Sequence, residues 1–552
     1  MPKQPIAMIA WLCGGMLAAA LVMPARSATA SDTRAKATNP GMPLTVDRHT
    51  LPRMIVTTDS EADDINSFIR LLYYSNQLDI EGLIYSSSVH HWKGDGVHTL
   101  KQARERGVIT SYRGEKAGAA GPSDDALAWR WEPVGWMERK LLQDYSSIYP
   151  NLLKHDPNYP SPAELWSKVA VGNITWENDF GADSEGSRRI KAALLDDDRR
   201  PLYLQAWGGA NTIARALLSI ETEYRMAANW SEVRAKVTGK ARLVLIGHQD
   251  NAYADYIGSA WPGIRVLNFD GVFGGFSSYT RNQVPPSILR YYKSEFWADN
   301  IKYGHGPLLE GYGLIGDGTW FEGEGDNPGW QPGQARDPST FRYFDFLGGF
   351  ERLDWTGEGD TPAFIMLVPT GLRFIEDPSL GGWGGRLQKS ASRDSTFVGA
   401  KDLNPHTRQM SGPYTVTRWI PAIAHDFAAR ADWGMTSRFD EANHAPRIVV
   451  KGESDPAAVP GLSVRLAVRA DDPDADQLTA SWWIYEDAGS LTGSASVIGS
   501  RLGRDFTGVV SVPASAKPGE RIVVVVDVAD DGSPSLTRHA QFVIAVKSSD
   551  QQ

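Results

Sequence analysis

The first half of the chain alternates two patterns of apolar positions. Short runs of consecutive apolar residues, typical of strands buried on both faces, alternate with segments in which apolar residues recur every three or four positions, as in amphipathic helices. This alternation predicts a parallel sheet covered by helices, with ligands bound beyond the carboxyl ends of the strands. In chain order the segments are RMIVTT, DDINSFIRLLYYSN, IEGLIYSSS, SRRIKAALLD, PLYLQAW, NTIARALLSI and ARLVLIG.

The pattern changes twice towards the C-terminus. Residues 280–440 have weaker periodicity and many glycine and aromatic residues, which predicts long loops with embedded helices such as TRWIPAIAHDFAARADW. After the Asn443–Pro446 segment, short alternating or β-branched runs are separated by turns, which predicts a small immunoglobulin-like β-sandwich. We therefore expect an α/β domain over 51–443 and an all-β domain over 446–549.

The N-terminus has the features of a secretory signal. Residues 1–30 contain Lys3, the apolar run Ile6–Val22 and then small residues, and 31–50 form a polar segment that we interpret as a linker. The apolar run is short for a bilayer, and no other stretch is long enough, so we expect no membrane span. The only cysteine, Cys13, lies inside the predicted signal. These features predict a periplasmic or secreted protein.

Length and charge narrow the class of protein. A chain of 552 residues is too long for one ordinary core, so two or more domains are expected. The net charge is −10, acids and bases are interspersed, and we find no basic stripe, which argues against a nucleic-acid partner. Nineteen Trp and 54 Gly suit loops that stack on sugars, but they are equally compatible with packing. The sequence gives no indication of the oligomeric state.

Four acids lie close together where the first strand ends and the first helix begins, in VTTDSEADDINSF. A helix N-terminus favours acids, so Asp59 could be an N-cap and Asp63 and Asp64 first-turn residues. One cap does not need three aspartates, however, and converging carboxylates repel one another unless a cation lies between them. Ca²⁺ is the ion that such oxygen ligands favour.

Two later segments could complete such a site. Trp207–Leu217 (WGGANTIARAL) follows a strand and opens a helix, and its glycine pair could bring backbone close to a ligand or expose a carbonyl. Glu358–Phe364 (EGDTPAF) places Asp360 in a turn before an apolar run. Ordinary turns and caps use the same residues, so each segment alone has two interpretations.

Together these motifs resemble the inosine–uridine-type nucleoside hydrolases. The chain is also similar to a family of secreted proteins called cellulose-binding, which have a nucleoside hydrolase-like domain. The likeness extends over about 53–446, and the β-rich tail matches the C-terminal domain of that family. The segments that carry it are DSEADD, DRRPLYLQAWGGANTIARAL, IGHQDNAYADYI, EGDTPAF, GGWGGR, HDFAARADW and EANHAP.

The resemblance implies a catalytic metal site. In nucleoside hydrolases one Ca²⁺ holds two sugar hydroxyls and the attacking water. By resemblance, Asp59, Asp64 and Asp360 would be carboxylate ligands, and Ala210 would supply a backbone carbonyl. Asp59 would also be the general base. Asp63 would accept a hydrogen bond from a sugar hydroxyl and stabilise an oxocarbenium-like transition state.

Three further residues are expected to contact the substrate. Asn211 lies in the GGAN helix start, and Glu295 in SEFWADN matches the acidic position of the family's sugar-binding E-x-N segment, although Trp297 replaces the asparagine. A solvated helix acid is the alternative for Glu295. His90, in the His90–Trp92 segment after the second strand, could bind a sugar or protonate a leaving group, or have no role.

Departures from the family pattern shape the expected reaction. Thr57 replaces the first Asp, Gly359 stands where a histidine that assists base departure is often found, and Trp- and Gly-rich loops are inserted between 300 and 350. We therefore expect a secreted Ca²⁺-dependent glycoside hydrolase acting on an N- or O-linked furanosyl bond rather than on a free nucleoside. The alternative is a non-catalytic protein that binds cellulose or another polysaccharide on the same scaffold. Either way, the expected partner is a carbohydrate or nucleoside-like small molecule.

Other polar segments have two interpretations each. The His248–Asp250 segment could line the pocket or stabilise a turn, and Arg386 could pair with a carboxylate near the site or elsewhere. In the tail, the acids of Asp472–Asp476 (DPDAD) could bind Ca²⁺ or form a turn. Of the adjacent pair Trp482–Trp483, alternation points one ring into the core and leaves the other able to stack on a sugar.

Overall fold

A computed structural model describes most of the chain. The predicted signal peptide, most of the predicted linker and most of the Trp- and Gly-rich segment lie outside the described residues. The described residues are 43, 45–107, 122–317 and 350–548.

An eight-stranded sheet forms the centre of the N-terminal part. Its strand order is β3-β2-β1-β4-β5-β6-β8-β7, and all neighbours are parallel except β7 and β8 at one edge. This confirms the predicted mostly parallel α/β sheet. The strands are β1 (Arg53–Thr58), β2 (Asp79–Tyr85), β3 (Val169–Val171), β4 (Leu202–Ala206), β5 (Ala241–Leu245), β6 (Arg265–Asn268), β7 (Leu387–Lys389) and β8 (Thr396–Gly399).

Fifteen α-helices occur among the described residues, with shorter 3₁₀ and π segments between them. They are α1 (Ala62–Tyr74), α2 (Leu100–Glu105), α3 (Trp136–Arg139), α4 (Ser146–His155), α5 (Pro162–Trp166), α6 (Glu185–Leu195), α7 (Asn211–Tyr224), α8 (Trp230–Lys240), α9 (Gly258–Ala260), α10 (Pro286–Leu289), α11 (Ser294–Trp297), α12 (Gly306–Glu310), α13 (Thr361–Ile365), α14 (Tyr414–Thr417) and α15 (Ile420–Trp433). In the described part of the chain, none combines the length and apolar character needed to cross a membrane.

Helices cover both faces of the sheet. Val56 of β1 packs in a core with the apolar faces of α1 and α15, whereas its neighbour Ile55 packs on the opposite side with α6, α7 and α8. Successive side chains of a strand point to opposite faces, so a strand covered on both sides needs apolar residues throughout. This explains why β1, β4 and β5 are almost continuously buried.

Residues beyond the sheet form a small hairpin and then the predicted β-sandwich. The hairpin pairs β9 (Asp402–Asn404) with β10 (Gln409–Ser411). The two sandwich sheets have the orders β11-β13-β16-β15 and β12-β18-β17-β14, and all pairs are antiparallel except β12 with β18. The strands are β11 (Arg447–Lys451), β12 (Ala457–Ala458), β13 (Ser463–Asp471), β14 (Thr479–Ile484), β15 (Ser496–Leu502), β16 (Asp505–Ser511), β17 (Arg521–Ala529) and β18 (Thr537–Val546).

The sandwich packs directly on the α/β part. Val524 and Val526 of β17 lie in the sandwich core, but Val523 and Val525 lie in the same apolar core as α1 and α15. Backbone hydrogen bonds cross the contact as well, including His539 N to Thr370 O at 2.9 Å. The continuous apolar run RIVVVVDVA therefore reflects a strand that is buried on both faces.

Candidate functional site

The acid cluster lies where the direction of strand order reverses. Strand β1 is flanked by β2 on one side and β4 on the other, which opens a crevice beyond the carboxyl ends of β1 and β4. Asp59 follows β1 directly, and the turn that begins at Trp207 follows β4. A Cβ on Gly208 would lie 2.5 Å from Asp59 Cγ, so only glycine lets this turn approach the carboxylate so closely.

Asp59 is the most enclosed carboxylate of the crevice. It is fully buried, and neither of its oxygens has a hydrogen-bond partner among the described residues. His91 Nδ1 lies 3.5 Å from Asp59 Oδ2, too far for a good hydrogen bond but close enough for electrostatic attraction. Burial favours the protonated form, but His91 and neighbouring groups outweigh burial and lower the pKa of Asp59. The lowered pKa favours the ionised form of Asp59, whose lone pairs can accept a further ligand.

A strained turn sets the direction of Asp59. Ser60 has a φ of 70°, in the left-handed region that residues other than glycine rarely adopt. Its backbone N–H donates to Thr58 Oγ1 at 3.1 Å, and its hydroxyl accepts from Trp136 Nε1 at 2.9 Å. These bonds hold the chain in the turn between β1 and α1, where strained backbone is often functional.

Asp64 and Asp360 meet in the same crevice from distant parts of the sequence. Both are buried, Asp64 Oδ1 accepts from Thr58 Oγ1 at 2.5 Å, and Asp360 Oδ1 has no hydrogen-bond partner in the described part of the chain. Burial raises the pKa of Asp64 well above its usual range, and the charges of Asp360, Asp59 and Asp63 raise it further. Burial likewise raises the pKa of Asp360, with added repulsion from Asp63 and Asp59. A cation would relieve this repulsion.

Asp63 and Glu61 line the more open side. Asp63 is half-buried, and its Oδ2 accepts from Gly359 N at 3.1 Å. Glu61, Asp63 and Asp64 offer oxygens within 4.8 Å of one another, as do ligand atoms of Asp59, Glu61 and His91. Converging carboxylate oxygens form a donor set that fits Ca²⁺.

Glu358 holds Asp360 in place, and the sequence did not reveal this role. Its buried carboxylate pairs with Arg70 of α1, with Arg70 Nη2 donating to Oε1 at 2.7 Å, and also accepts from Tyr312 and Thr361. This ion pair ties the EGD segment to α1, which also carries Asp64. A charged residue within the apolar stripe of α1, FIRLLYY, is the signal that could have indicated a buried partner.

A side chain at position 359 would require Asp63 to move. A Cβ on Gly359 would lie 2.3 Å from Asp63 Oδ2, well inside contact distance. A histidine there would displace Asp63. The observed position of Asp63 therefore depends on the glycine that replaces the family's histidine at 359.

The predicted roles of Ala210 and Asn211 stay predictions. The Ala210 carbonyl accepts the first hydrogen bond of α7, from Ala214 N at 2.8 Å, and a carbonyl oxygen has a second lone pair for another partner. The side chain of Asn211 makes four hydrogen bonds and links the loops after β2 and β3 to α7. A substrate contact would have to replace one of these bonds, so the geometry gives Asn211 a structural task first.

Of the histidine pair, His91 rather than His90 is buried beside Asp59. His90 is half-buried, its backbone N–H donates to Ser88 Oγ at 2.8 Å, and it contributes to the lowered pKa of Asp59. His91 is fully buried next to Asp59 and Glu61. The adjacent Trp92 packs on Trp176 with ring centroids 4.7 Å apart. The predicted contact of His90 with the substrate stays a prediction.

Glu295 is exposed on α11. Its neighbour Trp297 is buried and stacks on Trp355 with ring centroids 5.0 Å apart. This placement agrees with the alternative of a solvated helix acid, while its sugar contact stays untested.

Two other open alternatives have structural partners. Asp250 Oδ2 accepts from Asn211 N at 2.9 Å and its Oδ1 from Ala252 N at 3.0 Å, so it caps α7 and stabilises its own turn. Arg386 pairs with buried Asp402 at 2.7 Å, and Asp402 also accepts from Tyr485 of the sandwich at 2.6 Å. Arg386 therefore stabilises the contact between the two parts of the chain.

Solved structures show where similar architecture occurs. One similar structure is that of a nucleoside hydrolase-related hypothetical protein from Saccharophagus degradans, which is described as associated with carbohydrate metabolism. The two sequences are 25% identical, and the match covers 90% of this chain and 100% of that one with a TM-score of 0.59. Matches to the protocadherin gamma B4 extracellular domain (13% identity, 18% of this chain and 16% of that one, TM-score 0.14) and to the SrpA adhesin of Streptococcus sanguinis (13%, 19% and 59%, TM-score 0.15) are too weak to carry an argument. No curated protein sequence matches the chain.

Family profiles match both parts of the chain. The profile described as cellulose-binding Sde182, nucleoside hydrolase-like domain, matches residues 53–387, more than half of the sequence. The profile of the C-terminal domain of cellulose-binding protein Sde0182 matches residues 463–546. Together with the sheet, the crevice and the sandwich, these matches establish that the chain belongs to the cellulose-binding Sde182 family with a nucleoside hydrolase-like domain.

Proposed function

We propose that the protein is a Ca²⁺-dependent glycoside hydrolase that cleaves an N- or O-linked furanosyl bond outside the cytoplasm. One observation carries the proposal: Asp59, Asp63, Asp64 and Asp360 converge at the switch point of the sheet, and both oxygens of buried Asp59 lack hydrogen-bond partners among the residues that the structure describes. Carboxylates that only cap helices or turns are normally satisfied by backbone N–H groups.

Asp59, Asp64 and Asp360, with the Ala210 carbonyl, are the proposed ligands. Bound there, Ca²⁺ would orient neighbouring sugar hydroxyls and lower the pKa of a water molecule. The lowered pKa of Asp59 supports its role as the base that accepts a proton from water, because a base must be ionised at the working pH. His91, 3.5 Å away, would keep that carboxylate oriented.

Asp63 is the proposed contact to the sugar. The hydrogen bond from Gly359 N to its Oδ2 fixes the carboxylate, and its Oδ1 would accept from a hydroxyl of the furanose ring. Such a contact strengthens as positive charge develops on the ring in the transition state. Since residue 359 is a glycine and supplies no acid, protonation of the leaving group would fall to His90 or His91, and this favours a furanosyl glycoside over a free purine nucleoside.

Turnover of nitrophenyl furanosides and nucleosides tests this function. Protein treated with EDTA should be inactive and should recover when Ca²⁺ is added back. Asp59→Asn keeps the size of the side chain but removes the base, so we expect a loss of about a hundredfold or more. Asp471→Asn, at the end of β13, is the matched control and should be unchanged. Absence of Ca²⁺-dependent turnover, or full activity in Asp59→Asn, would refute the proposal.

A second function, binding of a polysaccharide without cleavage, is favoured by a separate cleft. Between the sandwich and the α/β part lies a cavity of about 800 Å³ whose lining includes Tyr414, Trp419 and Trp483 beside charged Arg418 and Asp487. Aromatic rings beside polar groups suit sugar stacking and hydrogen bonding. The family description as cellulose-binding also supports this function.

Sedimentation with insoluble cellulose tests the second function. Deleting the sandwich is unsuitable, because Val523 and Val525 belong to the α/β core. Trp483→Ala should release the protein from cellulose if the cleft binds glucan, whereas Asp59→Asn should remain bound. Trp166→Ala, which removes a half-exposed indole from α5, is the matched control. Binding that is unaffected by Trp483→Ala would argue against the cleft.

A further inference from the structure

A second group of acids lies at one end of the sandwich, far along the chain from the crevice. Asp472, Asp474 and Asp476 occupy the turn between β13 and β14, and each offers an oxygen within 4.8 Å of the others. Asp472 Oδ1 accepts from Asp474 N at 2.8 Å and Asp476 N at 3.1 Å, as in an ordinary turn. Its Oδ2, however, is buried and has no hydrogen-bond partner among the described residues.

An independent observation comes from the turn between β17 and β18. Asp530 is only 4% exposed; its Oδ1 accepts from Leu536 N at 2.8 Å, Gly532 N at 3.1 Å and Asn443 Nδ2 at 3.1 Å. Its Oδ2 is buried, no described residue hydrogen-bonds to it, and the charge of Asp530 interacts with Asp472. A carboxylate that is fully satisfied on one oxygen and unsatisfied on the other is poised for a further ligand.

The two turns face each other. A Cβ on Gly532 would lie 2.5 Å from Asp476 Oδ2 and 2.2 Å from Asn443 Nδ2, so the carboxylate of Asp476 lies over the turn that contains Asp530. Asp474 is tied to this region as well, because His444 N donates to its Oδ2 at 2.7 Å and His444 Nδ1 lies 3.1 Å from its Oδ1. The turn that carries the three acids therefore packs against the turn that carries Asp530, whose Oδ2 is hydrogen-bonded by no described residue.

We propose that Asp472, Asp474, Asp476 and Asp530 bind one Ca²⁺ at the junction between the α/β part and the sandwich. Carboxylate oxygens from flexible turns suit Ca²⁺ better than Mg²⁺, which demands a rigid octahedron and keeps its waters. In such a site Asp474 and Asp476, which are partly exposed, would form the entrance, and Asp530, which is buried, would form the floor.

The position of this site gives it a structural consequence. Asn443 and His444 lead from α15 into β11, and both contact these acids. His444 also stacks on Trp433 of α15 and on His155 of α4, with ring centroids 4.9 and 5.1 Å apart. Ca²⁺ would thus fix the turn that joins the two parts of the chain. This role is independent of the function proposed for the crevice.

Calorimetric titration of the EDTA-treated full chain with Ca²⁺ tests the proposal. Asp476→Asn neutralises a partly exposed ligand at the entrance, and Asp530→Asn keeps the Oδ1 acceptor while neutralising the other oxygen. We expect each variant to lose one class of Ca²⁺ site, with affinity at least about tenfold lower, and to lose the matching part of the Ca²⁺-induced rise in Tm. Asp471→Asn, which neutralises the neighbouring exposed acid that pairs with Arg504, is the matched control and should bind as the wild type.

Comparison with Asp59→Asn separates the two sites. That variant should keep the site at the junction, whereas Asp476→Asn should keep the site in the crevice. If Asp530→Asn fails to fold, as judged by circular dichroism, Asp476→Asn decides alone. Unchanged Ca²⁺ stoichiometry and affinity in Asp476→Asn would overturn the proposal.

Discussion

Replacing Glu358 by glutamine should both destabilise the protein and weaken the proposed Ca²⁺ site. Arg70 and Glu358 are 1% and 0% exposed, so the pair is shielded from water on all sides. A glutamine side chain would have nearly the same shape and could still accept from Tyr312 and Thr361, but it would leave the Arg70 guanidinium without its counter-charge. The substitution therefore isolates the effect of charge.

The expected cost follows from the surroundings of Arg70. Removing one partner of a buried ion pair typically costs about 3–5 kcal/mol, because the other charge stays buried and unpaired. The Phe427 ring lies 3.9 Å from Arg70 Cζ, but Glu358→Gln leaves this cation–π contact unchanged. Because glutamine still offers an oxygen that can accept from Arg70, we expect a loss near the lower end of that range, about 3 kcal/mol. Since Glu358 is two residues from Asp360, the affinity for Ca²⁺ should also fall by about tenfold or more.

Urea unfolding followed by Trp fluorescence, with and without Ca²⁺, measures both effects. Arg70→Met should be similarly costly alone, and the double variant Arg70→Met/Glu358→Gln should lose much less than the sum, because neither charge is then left unpaired. Asp440→Asn, in an exposed ion pair with Arg438, is the control and should cause no measurable change. A loss below about 1 kcal/mol in Glu358→Gln, or additive single effects, would refute the reasoning.

Two further outcomes are expected. Gly359→Ala places a methyl group 2.3 Å from Asp63 Oδ2, so Asp63 must move and turnover should fall by about a hundredfold. Circular dichroism should show that the fold is retained. Gly239→Ala is the control, because no described atom lies near its Cβ position, and its turnover should be unchanged. The pKa values of Asp64 and Asp360 are raised in the folded protein, so without Ca²⁺ the folded form binds more protons than the unfolded form. The two protonated carboxyl groups therefore stabilise the fold at low pH. This contribution is lost as the pH rises through the raised pKa values. Because Ca²⁺ replaces those protons, the Ca²⁺-induced rise in Tm should grow from about pH 4 to about pH 8, and a shift that is independent of pH would contradict this.

Local patterns were sufficient to predict the sheet and the first half of the site. The runs that became β1, β4 and β5 are apolar throughout because both faces are covered, and the cluster from Asp59 to Asp64 lies at a strand end where ligands bind. The prediction that Asp360 joins Asp59 and Asp64 required the family resemblance, because no local pattern links residues so far apart along the chain. Its proximity to Asp64 depends on long-range contacts, above all the Arg70–Glu358 pair, which join segments that are 288 residues apart.

Some features could not be predicted from the sequence, because they depend on which segment packs against which in the folded protein. Glu295 matches a family position by sequence, but Trp297 became part of an aromatic stack, and the helix exposes Glu295 to solvent. The continuous valines of β17 are ambiguous in sequence, because a buried strand of a sandwich and a strand shared between two cores have the same pattern. Only the packing of Val523 against the α/β core distinguishes them.

Whether the crevice cleaves its ligand or only binds it depends on one physical point, the space next to Asp63. The backbone of Gly359 donates to Asp63 Oδ2, and the same oxygen fills the volume that a side chain at 359 would need. A chain with glycine here therefore keeps Asp63 in the position from which we propose that it contacts a sugar hydroxyl, and it has no acid at 359 for the leaving group. Cleavage then depends on whether the His90–His91 segment, which faces the crevice from the end of β2, can deliver a proton. Without that delivery the same carboxylates would still hold a cation and a sugar, and the crevice would bind its ligand without breaking it.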